Sequence, residues 1–456
     1  MQESRYNNNG VEGEDVLLTQ EQNNLLTQTG PGTPAGELFR RYWQPVALAE
    51  ELPPGAPPRP VRIMSENLVL FRDANDEIGL MHIRCPHRGA DLSFARVEGD
   101  GLRCLYHGWL ISKTGRCLDQ PGEPASSSYK DKIKHKAYPC REAGGLILTY
   151  MGPGEPPPLP GFPIFSAPRA HVWTSKLIHE CNYLQGNEGN VDPQHLSFLH
   201  RMASPQRAQD ERTKQVDTLL AADVAPTIDL EETAFGIRLC ATRTLADDEK
   251  YVRVSNFVMP NNSAFDGGPL SDPTKGPPKP NLGYWMHWHV PIDDTHHWKY
   301  TIAYCYEMPL DPALQDRMVR SEATEDYDTR RRRSNRYLQD RGEMDRLTFL
   351  GMGFNFYDHD RFAVESQGDV SDRTEENLGV SDRGVIAMRR QMIRAIEAMK
   401  QGEPLPLSKP GDAADLVVVS QKIGAGEEPK DVWKTYRPDR KATKAAAPVR
   451  EPAPAK

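Results

Sequence analysis

Two short segments, CPHRGADLS at residues 85–93 and CLYHGW at residues 104–109, decide the fold of the first part of this chain. Each segment contains one cysteine and one histidine, spaced Cys-x-His in the first and Cys-x-x-His in the second. Both segments lie beside short apolar runs that predict β-strands, so the four side chains are expected on two neighbouring loops. Two thiolates and two imidazoles should therefore converge, and they belong to Cys85, His87, Cys104 and His107.

The pairing of ligands within each loop separates two kinds of metal site. Two cysteines and two histidines form many structural zinc sites, so a zinc-bearing binding module is one interpretation. Zinc fingers, however, usually keep the two cysteines together and the two histidines together, whereas here each loop supplies one of each. This mixed pairing favours a Rieske [2Fe-2S] cluster, in which one iron has two thiolates and the other has two imidazoles. Gly89 and Gly108 support the same interpretation, because backbone amides approach cluster sulfurs most easily where no Cβ intervenes.

Length and composition narrow the class of protein. A chain of 456 residues exceeds the usual size of one hydrophobic core, so two packed domains are expected. The formal net charge of -8 disfavours nucleic acid as a partner, because the protein would repel a phosphate backbone. The sequence contains neither a signal-peptide pattern nor a long apolar run, which predicts a cytoplasmic protein without a membrane partner. Five further cysteines have no partner at metal spacing and are expected to be small buried hydrophobes; they are Cys117, Cys140, Cys181, Cys240 and Cys305.

The pattern along the chain predicts an α+β protein. Short apolar runs broken by Gly, Pro and Asp turns indicate a small antiparallel β domain, and MGPGEPPPLPGFP at residues 151–163 is typical of a linker. Residues 1 to about 30 and the last twenty residues lack apolar periodicity, so both are expected to be loose. The predicted divisions are an N-terminal arm at residues 1–40, a cluster domain at 41–155, a larger domain at 156–435 and a disordered tail at 436–456.

The larger domain should contain an antiparallel sheet followed by a long helix. Alternating apolar and polar residues predict strands in GIRLCATRTL, KYVRVSNFVMP, YWMHWHVPI and HHWKYTIAYCYEM. A helix should begin with Ser381 as its N-cap and end at Gly402. Its apolar face consists of Val385, Met388, Met392, Ile396 and Met399.

A second constellation of metal ligands lies in NYLQGNEGNVDPQHLSFLHR at residues 182–201. Asp192, His195 and His200 are spaced Asp-x-x-His-x4-His, and a helix with an irregularity near Leu199 would bring them to one face. Two imidazoles and one carboxylate form the facial triad of non-haem Fe(II) oxygenases, which leaves coordination positions open. Taken alone, the pattern also fits histidines buried in a core.

With both motifs present, the chain resembles the oxygenase α subunits of Rieske ring-hydroxylating oxygenases. The branch that it resembles includes phthalate dioxygenase and dehydrodivanillate O-demethylase. The resemblance extends from GPGTPAGELFRRYWQPVALAEELP, through the two cluster loops, to DRTEENLGVSD near the C-terminus. It implies a small antiparallel β Rieske domain and a larger, helix-grip-like catalytic domain with an antiparallel sheet and covering helices.

The resemblance also implies roles for individual residues. His195 and His200 would be ligands of a mononuclear Fe(II), and Asp192 would hydrogen-bond a ligand histidine and face His107 of a neighbouring subunit. The third ligand would be an aspartate in FYDHDRFAVESQG at residues 356–368. Asp360 is favoured because it stands a few residues before a Gln-Gly pair, with Asp358 as the alternative.

Three other residues are candidates for orientation or substrate binding. Glu188 precedes Asp192 by about one helical turn and would orient it or gate a proton, unless it is an ordinary solvated carboxylate. Arg243 and Arg253 are candidates to hold a substrate carboxylate, unless they are ordinary surface arginines of strands. His287, His289, His296 and His297 have no cysteine or carboxylate at fixed spacing, so they are interpreted as structural.

The expected function is that of an oxygenase component which activates O2 to hydroxylate an aromatic acid. Removal of an O-methyl group from a methoxylated aromatic acid is the alternative, and a non-catalytic Rieske electron-transfer protein is disfavoured by the second motif. No convincing dinucleotide-binding motif follows a strand, so electrons from NAD(P)H should arrive through a separate reductase. The resemblance implies a head-to-tail homotrimer, or a multiple of trimers.

Overall fold

The computed structural model describes residues 17–203, 211–272 and 281–436. Within these residues the α-helices are α1 (Gln20–Thr27), α2 (Pro34–Arg40), α3 (Tyr183–Asn190), α4 (Glu211–Ala222), α5 (Pro312–Val319), α6 (Phe356–Glu365), α7 (Arg383–Gln401) and α8 (Val432–Thr435). The strands of the first part are β1 (Gln44–Leu48), β2 (Arg59–Ile63), β3 (Glu66–Arg72), β4 (Ile78–His82), β5 (Arg96–Glu98), β6 (Gly101–Arg103), β7 (Leu110–Ser112), β8 (Cys117–Asp119), β9 (Ala137–Tyr138), β10 (Cys140–Ala143) and β11 (Leu146–Thr149). Those of the second part are β12 (Val172–His179), β13 (Thr227–Glu232), β14 (Gly236–Thr244), β15 (Lys250–Val258), β16 (Asn262–Phe265), β17 (Gly283–Pro291), β18 (His297–Cys305) and β19 (Val419–Ile423).

The first part of the chain forms three small antiparallel sheets. Their strand orders are β1-β11-β10, β2-β3-β4-β9 and β5-β6-β7-β8. Alternation along ENLVLFR in β3 directs Val69 and Phe71 into a small core that also contains the two cysteines of the motif. The loop after β4 and the loop between β6 and β7 carry Cys85 and Cys104, so this core anchors both loops.

The second part is built on one antiparallel sheet with strand order β12-β18-β17-β16-β15-β14-β13. β15 pairs with β19 through its first five residues and with the short strand β16 through its last three. Helix α3 packs against β17 and against α6, which brings the second motif onto the sheet. The α+β fold, with small antiparallel sheets and one larger antiparallel sheet covered by helices, is confirmed.

The long helix α7 covers the sheet much as the sequence predicts. Met388, Met392 and Ile396 are fully buried, and Gly402 ends the helix with a φ of 73°. The N-cap is Asp382, one residue after the predicted Ser381. Glycine suits the C-terminal position because the left-handed conformation strains residues that carry a Cβ.

The N-terminal segment differs from the sequence prediction. Residues 1 to about 30 were expected to be loose, but α1 forms from Gln20 and is closed by a capping box between Thr19 and Gln22. Leu26 is fully buried, and its carbonyl accepts a hydrogen bond from the hydroxyl of Tyr183 at 2.6 Å. A polar helix is stable here because its few apolar side chains pack on the larger domain. Residues 1–16 and 437–456, which contain the rest of the predicted arm and nearly all of the predicted tail, lie outside the described residues.

Among the described helices, none combines the length and the hydropathy needed to span a lipid bilayer.

Candidate metal centres

The two cluster loops have the same backbone geometry. In the first, the N–H of Gly89 donates to the carbonyl of Cys85 at 2.9 Å, and in the second the N–H of Gly108 donates to that of Cys104 at 3.0 Å. Gly89 and Gly108 have φ values of 73° and 74°, where a Cβ is strained. Each loop therefore turns tightly around its own cysteine, although His87 lies two residues after its cysteine and His107 lies three residues after its own.

The side chains of the four residues divide between the core and the surface. Both cysteines are buried, whereas the rings of His87 and His107 lie at the exposed tip with their centroids 4.6 Å apart. The ring of His87 also stacks on Trp109 at 4.5 Å and 6°. Burial, together with the neighbouring thiol of Cys104, raises the pKa of Cys85, so the unligated Cys85 thiol would be neutral and a bound metal would favour its ionisation. This donor set fits a cluster held between a buried thiolate side and an exposed imidazole side.

The second constellation converges with a residue distant in sequence. His195, His200 and Asp360 each offer a ligand atom, and the three atoms lie within 4.8 Å of one another. Nε2 of His200 is 3.1 Å from Oδ1 of Asp360, and the two histidine rings have centroids 5.3 Å apart. Two imidazoles and one carboxylate in a partly buried cluster are the donors of a non-haem iron site with open positions, so these residues fit a mononuclear iron.

The backbone of the motif is not the helix that the spacing predicts. α3 ends at Asn190, and a short 3-10 turn at His195–Ser197 follows the break. Pro193 cannot continue an α-helix, and Oδ1 of Asp192 accepts a hydrogen bond from the N–H of Gln194 at 2.8 Å. The two candidate ligand histidines are therefore brought together by a turn, and the predicted helix with an irregularity near Leu199 is wrong.

His359 orients one of the two candidate ligand histidines. Nε2 of His359 lies 2.9 Å from the carbonyl of Gly353, which can only accept, so this nitrogen carries the proton. Nδ1 of His359 is then an acceptor for Nδ1–H of His200 at 3.4 Å. This relay leaves Nε2 of His200 unprotonated and facing Asp360, as a metal ligand requires. Nothing local in the sequence distinguishes His359 from other histidines, so its role could not be predicted.

Asp192 holds the other ligand histidine. Its Oδ2 lies 3.6 Å from Nδ1 of His195, and its Oδ1 is 3.4 Å from the backbone nitrogen of the same residue. Burial alone would raise the pKa of Asp192, but the contact with His195 lowers it overall. The Asp192 carboxylate thus lies on the Nδ1 side of the His195 ring, at a distance longer than a hydrogen bond.

The two candidate aspartates of α6 face different ways. Asp358 accepts a hydrogen bond from the hydroxyl of Thr329 at 2.9 Å, and burial raises its pKa to about 6. Asp360 lies between His200 and the ammonium of Lys299; burial alone would raise its pKa, but the neighbouring charge of Lys299 holds it well below its usual range. Asp360 is therefore ionised and adjacent to the histidines, and Asp358 is not part of the cluster.

The sheet beneath the cluster carries a buried chain of hydrogen bonds. Nδ1 of His297 donates to the carbonyl of Cys181 at 2.8 Å, which makes its Nε2 an acceptor for Nδ1–H of His289 at 3.0 Å. Nε2 of His289 then accepts from the amide of Asn190 at 2.7 Å, and the oxygen of that amide accepts from Nδ1 of His287 at 3.2 Å. Burial lowers the pKa of all three histidines, which are therefore neutral. This chain fastens the end of α3, two residues before Asp192, to the sheet.

Neither candidate arginine is a surface side chain with a free guanidinium. Arg243 is fully buried, and its Nη2 donates to the carbonyl of Pro193 at 2.8 Å and to the hydroxyl of Ser197 at 3.2 Å. Arg253 is half-buried, and its Nη2 donates to the carbonyl of Asp266 at 2.5 Å. Arg243 therefore braces the turn that carries His195, and Arg253 braces a loop beyond β16.

Glu188 is the centre of a buried ion network. Its carboxylate accepts hydrogen bonds from Arg373 at 2.7 and 2.8 Å and from Arg389 at 2.7 Å, and Arg389 also pairs with Glu376. A cavity of about 370 Å³ reaches from Glu188 to Asp192 and Asp360. The carboxylate is thus held in place by two guanidinium groups, and the expectation of a solvated carboxylate does not apply.

The Glu188→Gln variant should be strongly destabilised. The amide removes the negative charge and leaves two buried guanidinium groups without their common partner, which costs roughly 3–5 kcal/mol in the free energy of unfolding. Urea unfolding of the variant and the wild type measures this difference. The exposed pair of Glu232 and Arg394 provides the matched control, since Glu232→Gln should change stability by less than about 1 kcal/mol. Equal stabilities of the two variants would contradict the structural role of Glu188.

Comparisons with known proteins agree with this geometry. Residues 42–132 match the Rieske [2Fe-2S] domain family, and residues 149–407 match the family described as LigXa C-terminal domain like. The chain is 36% identical over 402 residues to the phthalate 4,5-dioxygenase oxygenase subunit of Pseudomonas putida, with coverage of 85% of this chain and 88% of the relative. It is 34% identical to the 5,5'-dehydrodivanillate O-demethylase oxygenase subunit of a Sphingobium species, with coverage of 85% and 82%.

Solved structures show the same fold. The complex between oxygenase and ferredoxin of carbazole 1,9a-dioxygenase superimposes with a TM-score of 0.53 at 20% identity, and the match covers 82% of this chain and 93% of that one. Oxygenases of this kind carry a Rieske cluster and a mononuclear iron and receive electrons from a separate protein. The expected family and fold are confirmed, and the chain belongs to the oxygenase subunits of the Rieske non-haem iron oxygenases.

Proposed function

We propose that this subunit hydroxylates an aromatic acid at an iron held by His195, His200 and Asp360. The observation that carries the proposal is the convergence of these three ligands in a chain that also has the Rieske motif. We further propose that the cluster is held by Cys85, His87, Cys104 and His107. When both are bound, the cluster supplies electrons one at a time and the single iron activates dioxygen.

The residues around the iron ligands prepare the site for this chemistry. Asp192 lies beside the ring of His195, and His359 is within hydrogen-bond distance of His200, so each candidate ligand histidine has a polar neighbour. The turn that carries His195 is braced from below by Arg243. Ligands held in this way need little reorganisation when substrate arrives, which is how a preorganised site lowers the barrier to reaction.

Arg243 is also the better candidate for binding the substrate carboxylate. Its Nη1 is buried and has no hydrogen-bond partner among the described residues. Burial lowers the pKa of Arg243 to about 10, which leaves the guanidinium charged at neutral pH. A buried cationic nitrogen without a partner would gain a charge-assisted hydrogen bond from a carboxylate.

We propose that the subunits form a cyclic homotrimer, or a multiple of it. The imidazoles of His87 and His107 are exposed, and so are the neighbouring side chains of Leu105 and Tyr106. Asp192 is itself one quarter exposed, so its carboxylate can be approached from outside the subunit. A head-to-tail ring would bring the exposed imidazoles of one subunit toward Asp192 of the next and bury the apolar tip.

We propose a cytoplasmic location and a reductase as the electron donor. The seven cysteines are all free, as expected for a compartment that keeps thiols reduced. The relative at 36% identity is named as an oxygenase subunit, and the solved complex pairs an oxygenase with a ferredoxin. Both names support the transfer of electrons from NAD(P)H through one or more separate proteins.

O-demethylation of a methoxylated aromatic acid is the second candidate function. The relative from Sphingobium is named as an O-demethylase, and its identity to this chain is nearly that of the dioxygenase subunit. Both reactions use the same iron and differ in which substrate carbon lies nearest to it.

A product screen tests the proposed function. The iron-loaded protein should be incubated with a surrogate reductase, NAD(P)H and a set of aromatic and methoxylated aromatic acids, and the products identified by mass. Hydroxylation by two oxygen atoms is the expected result, whereas a loss of one methyl group with release of formaldehyde would favour the second candidate. Consumption of NAD(P)H without a product from any aromatic acid would contradict both.

A further inference from the structure

Lys299 is a buried cation beside the proposed iron ligands. It lies on β18, and its side chain is only 2% exposed. Its ammonium is 3.1 Å from Oδ2 of Asp360 and 4.8 Å from the centre of the Tyr357 ring. Since Tyr357 and Asp360 are three residues apart on α6, they share one face of that helix, and the ammonium lies between this face and the sheet.

Among the described residues, Asp360 is the carboxylate that pairs with Lys299, and no second one competes for the ammonium. Its neighbours across the sheet are His289 on β17 and Leu177 on β12. His287 and His289 are kept neutral by burial, and the charge of Lys299 lowers their pKa further. The ammonium is therefore directed at Asp360, and a buried lysine without this partner would be costly.

The two oxygens of Asp360 have different neighbours. Oδ1 is 3.1 Å from Nε2 of His200, on the ligand side, whereas Oδ2 is the oxygen that accepts from Lys299. A carboxylate binds a metal through one oxygen or through both. An ammonium beside Oδ2 disfavours a second cation at the same oxygen, because like charges repel strongly in a site of low polarity.

We infer that Lys299 is a positioning residue that restricts Asp360 to binding iron through one oxygen. This inference rests on the proposed iron site. Restricting Asp360 in this way keeps one more coordination position open for dioxygen or substrate. A lysine suits this role better than an arginine, since an ammonium is a compact charge that engages one oxygen and a guanidinium tends to engage both.

The Lys299→Met variant tests the inference through the affinity for ferrous iron. Removing the ammonium eliminates a charge that repels the iron. It also leaves the carboxylate of Asp360 buried without a cation, and binding of iron relieves this energetic cost. The dissociation constant of ferrous iron should therefore fall by roughly tenfold, the size expected for loss of one hydrogen bond to a charged group. Turnover should fall as well, because the freed oxygen occupies an open position. A merely structural role predicts the opposite change in affinity, since a loosened site holds metal less tightly.

Affinity is measured in the full chain with an intact cluster, by competition with a chromogenic ferrous chelator. Lys176→Met is the matched control, because Lys176 is 5% exposed on the same sheet and pairs with Glu51 at 2.8 Å. It should lose stability and keep the iron affinity of the wild type. Lys299→Arg retains the charge and should restore an affinity within about threefold of the wild type. If Lys299→Met does not fold, Lys299→Gln, which keeps a donor without the charge, should show a smaller gain of affinity.

The outcomes separate this inference from the proposed function. If the wild type binds ferrous iron and neither Lys299→Met nor Lys299→Gln binds it more tightly, the positioning role is wrong and the iron site stands. If the wild type with an intact cluster binds no ferrous iron, both the proposed site and the inference built on it are wrong.

Discussion

Replacement of His200 by alanine is expected to abolish oxygenation while the visible spectrum of the Rieske cluster stays unchanged. The variant removes one of two imidazoles from the proposed iron site and leaves Asp360 facing an empty space. Loss of a residue that only supports a ligand typically costs about 10–100-fold in metal affinity or activity, so loss of a ligand should cost at least about a hundredfold. The rate of product formation and the iron content per chain measure the two effects together.

The matched control for this variant is His296→Ala. His296 lies at the surface, and its ring contacts Asp293 rather than any of the three proposed iron ligands. Its removal should leave iron content and turnover close to those of the wild type. The proposed site would be wrong if His200→Ala retained full activity and the same iron content as the wild type.

The sequence predicts those parts of the site whose residues lie close together in the chain. The Cys-x-His and Cys-x-x-His spacings identify the cluster ligands as candidates, and the alternation of β14, β15, β17 and β18 predicts strands that the structure contains at nearly the same bounds. His195 and His200 could be paired because they share one short segment. Their actual geometry depends on Pro193, which cannot continue the helix that the spacing alone predicts.

The choice between Asp358 and Asp360 could not be made from periodicity. Because the two aspartates are two residues apart on a helix, their side chains project about 200° from each other, and at most one of them can face the histidines. Which face of α6 is turned to the sheet depends on packing, and both aspartates belong to a segment with mixed polar and apolar burial. The family resemblance favoured Asp360, and the structure brings this residue to the histidines.

Two of the residues that orient the proposed ligands, Lys299 and His359, had no signal in the sequence, whereas Asp192 was named by the family resemblance. Lys299 and Asp360 are separated by 61 residues, and His200 and His359 by 159 residues. A buried lysine or histidine has no local signal, because its meaning comes from the partner that the fold supplies. From the sequence, Arg243 was a candidate for binding a substrate carboxylate, with an ordinary surface arginine as the alternative; in the structure it is fully buried and donates to the carbonyl of Pro193.

Replacement of Cys104 by serine should have the complementary effect, with loss of the cluster spectrum and retention of the single iron. A serine hydroxyl is a harder and less acidic donor than a thiol, so it does not replace a thiolate that binds one iron of the cluster. The wild type should contain about three irons per chain, two in the cluster and one at the mononuclear site, and the variant about one. Iron analysis, acid-labile sulfide and the visible spectrum provide independent measurements.

Cys117→Ser controls for the loss of any buried cysteine in the same domain. Cys117 is also buried in the small core, where its Sγ donates to the carbonyl of Asp119 at 3.6 Å, so the variant should keep both cluster and activity. A Cys104→Ser protein with an unchanged spectrum would disprove the ligand assignment. Zinc without sulfide in the wild type would instead restore the zinc interpretation of the motif.

The Cys104 and His200 variants are informative as a pair, because Cys104 lies in a loop of the small sheets and His200 belongs to the part of the chain built on the large sheet. If the two metals are independently held, each variant should lose one and keep the other, whereas loss of both metals from either variant would mean that the domains fold only around a complete set.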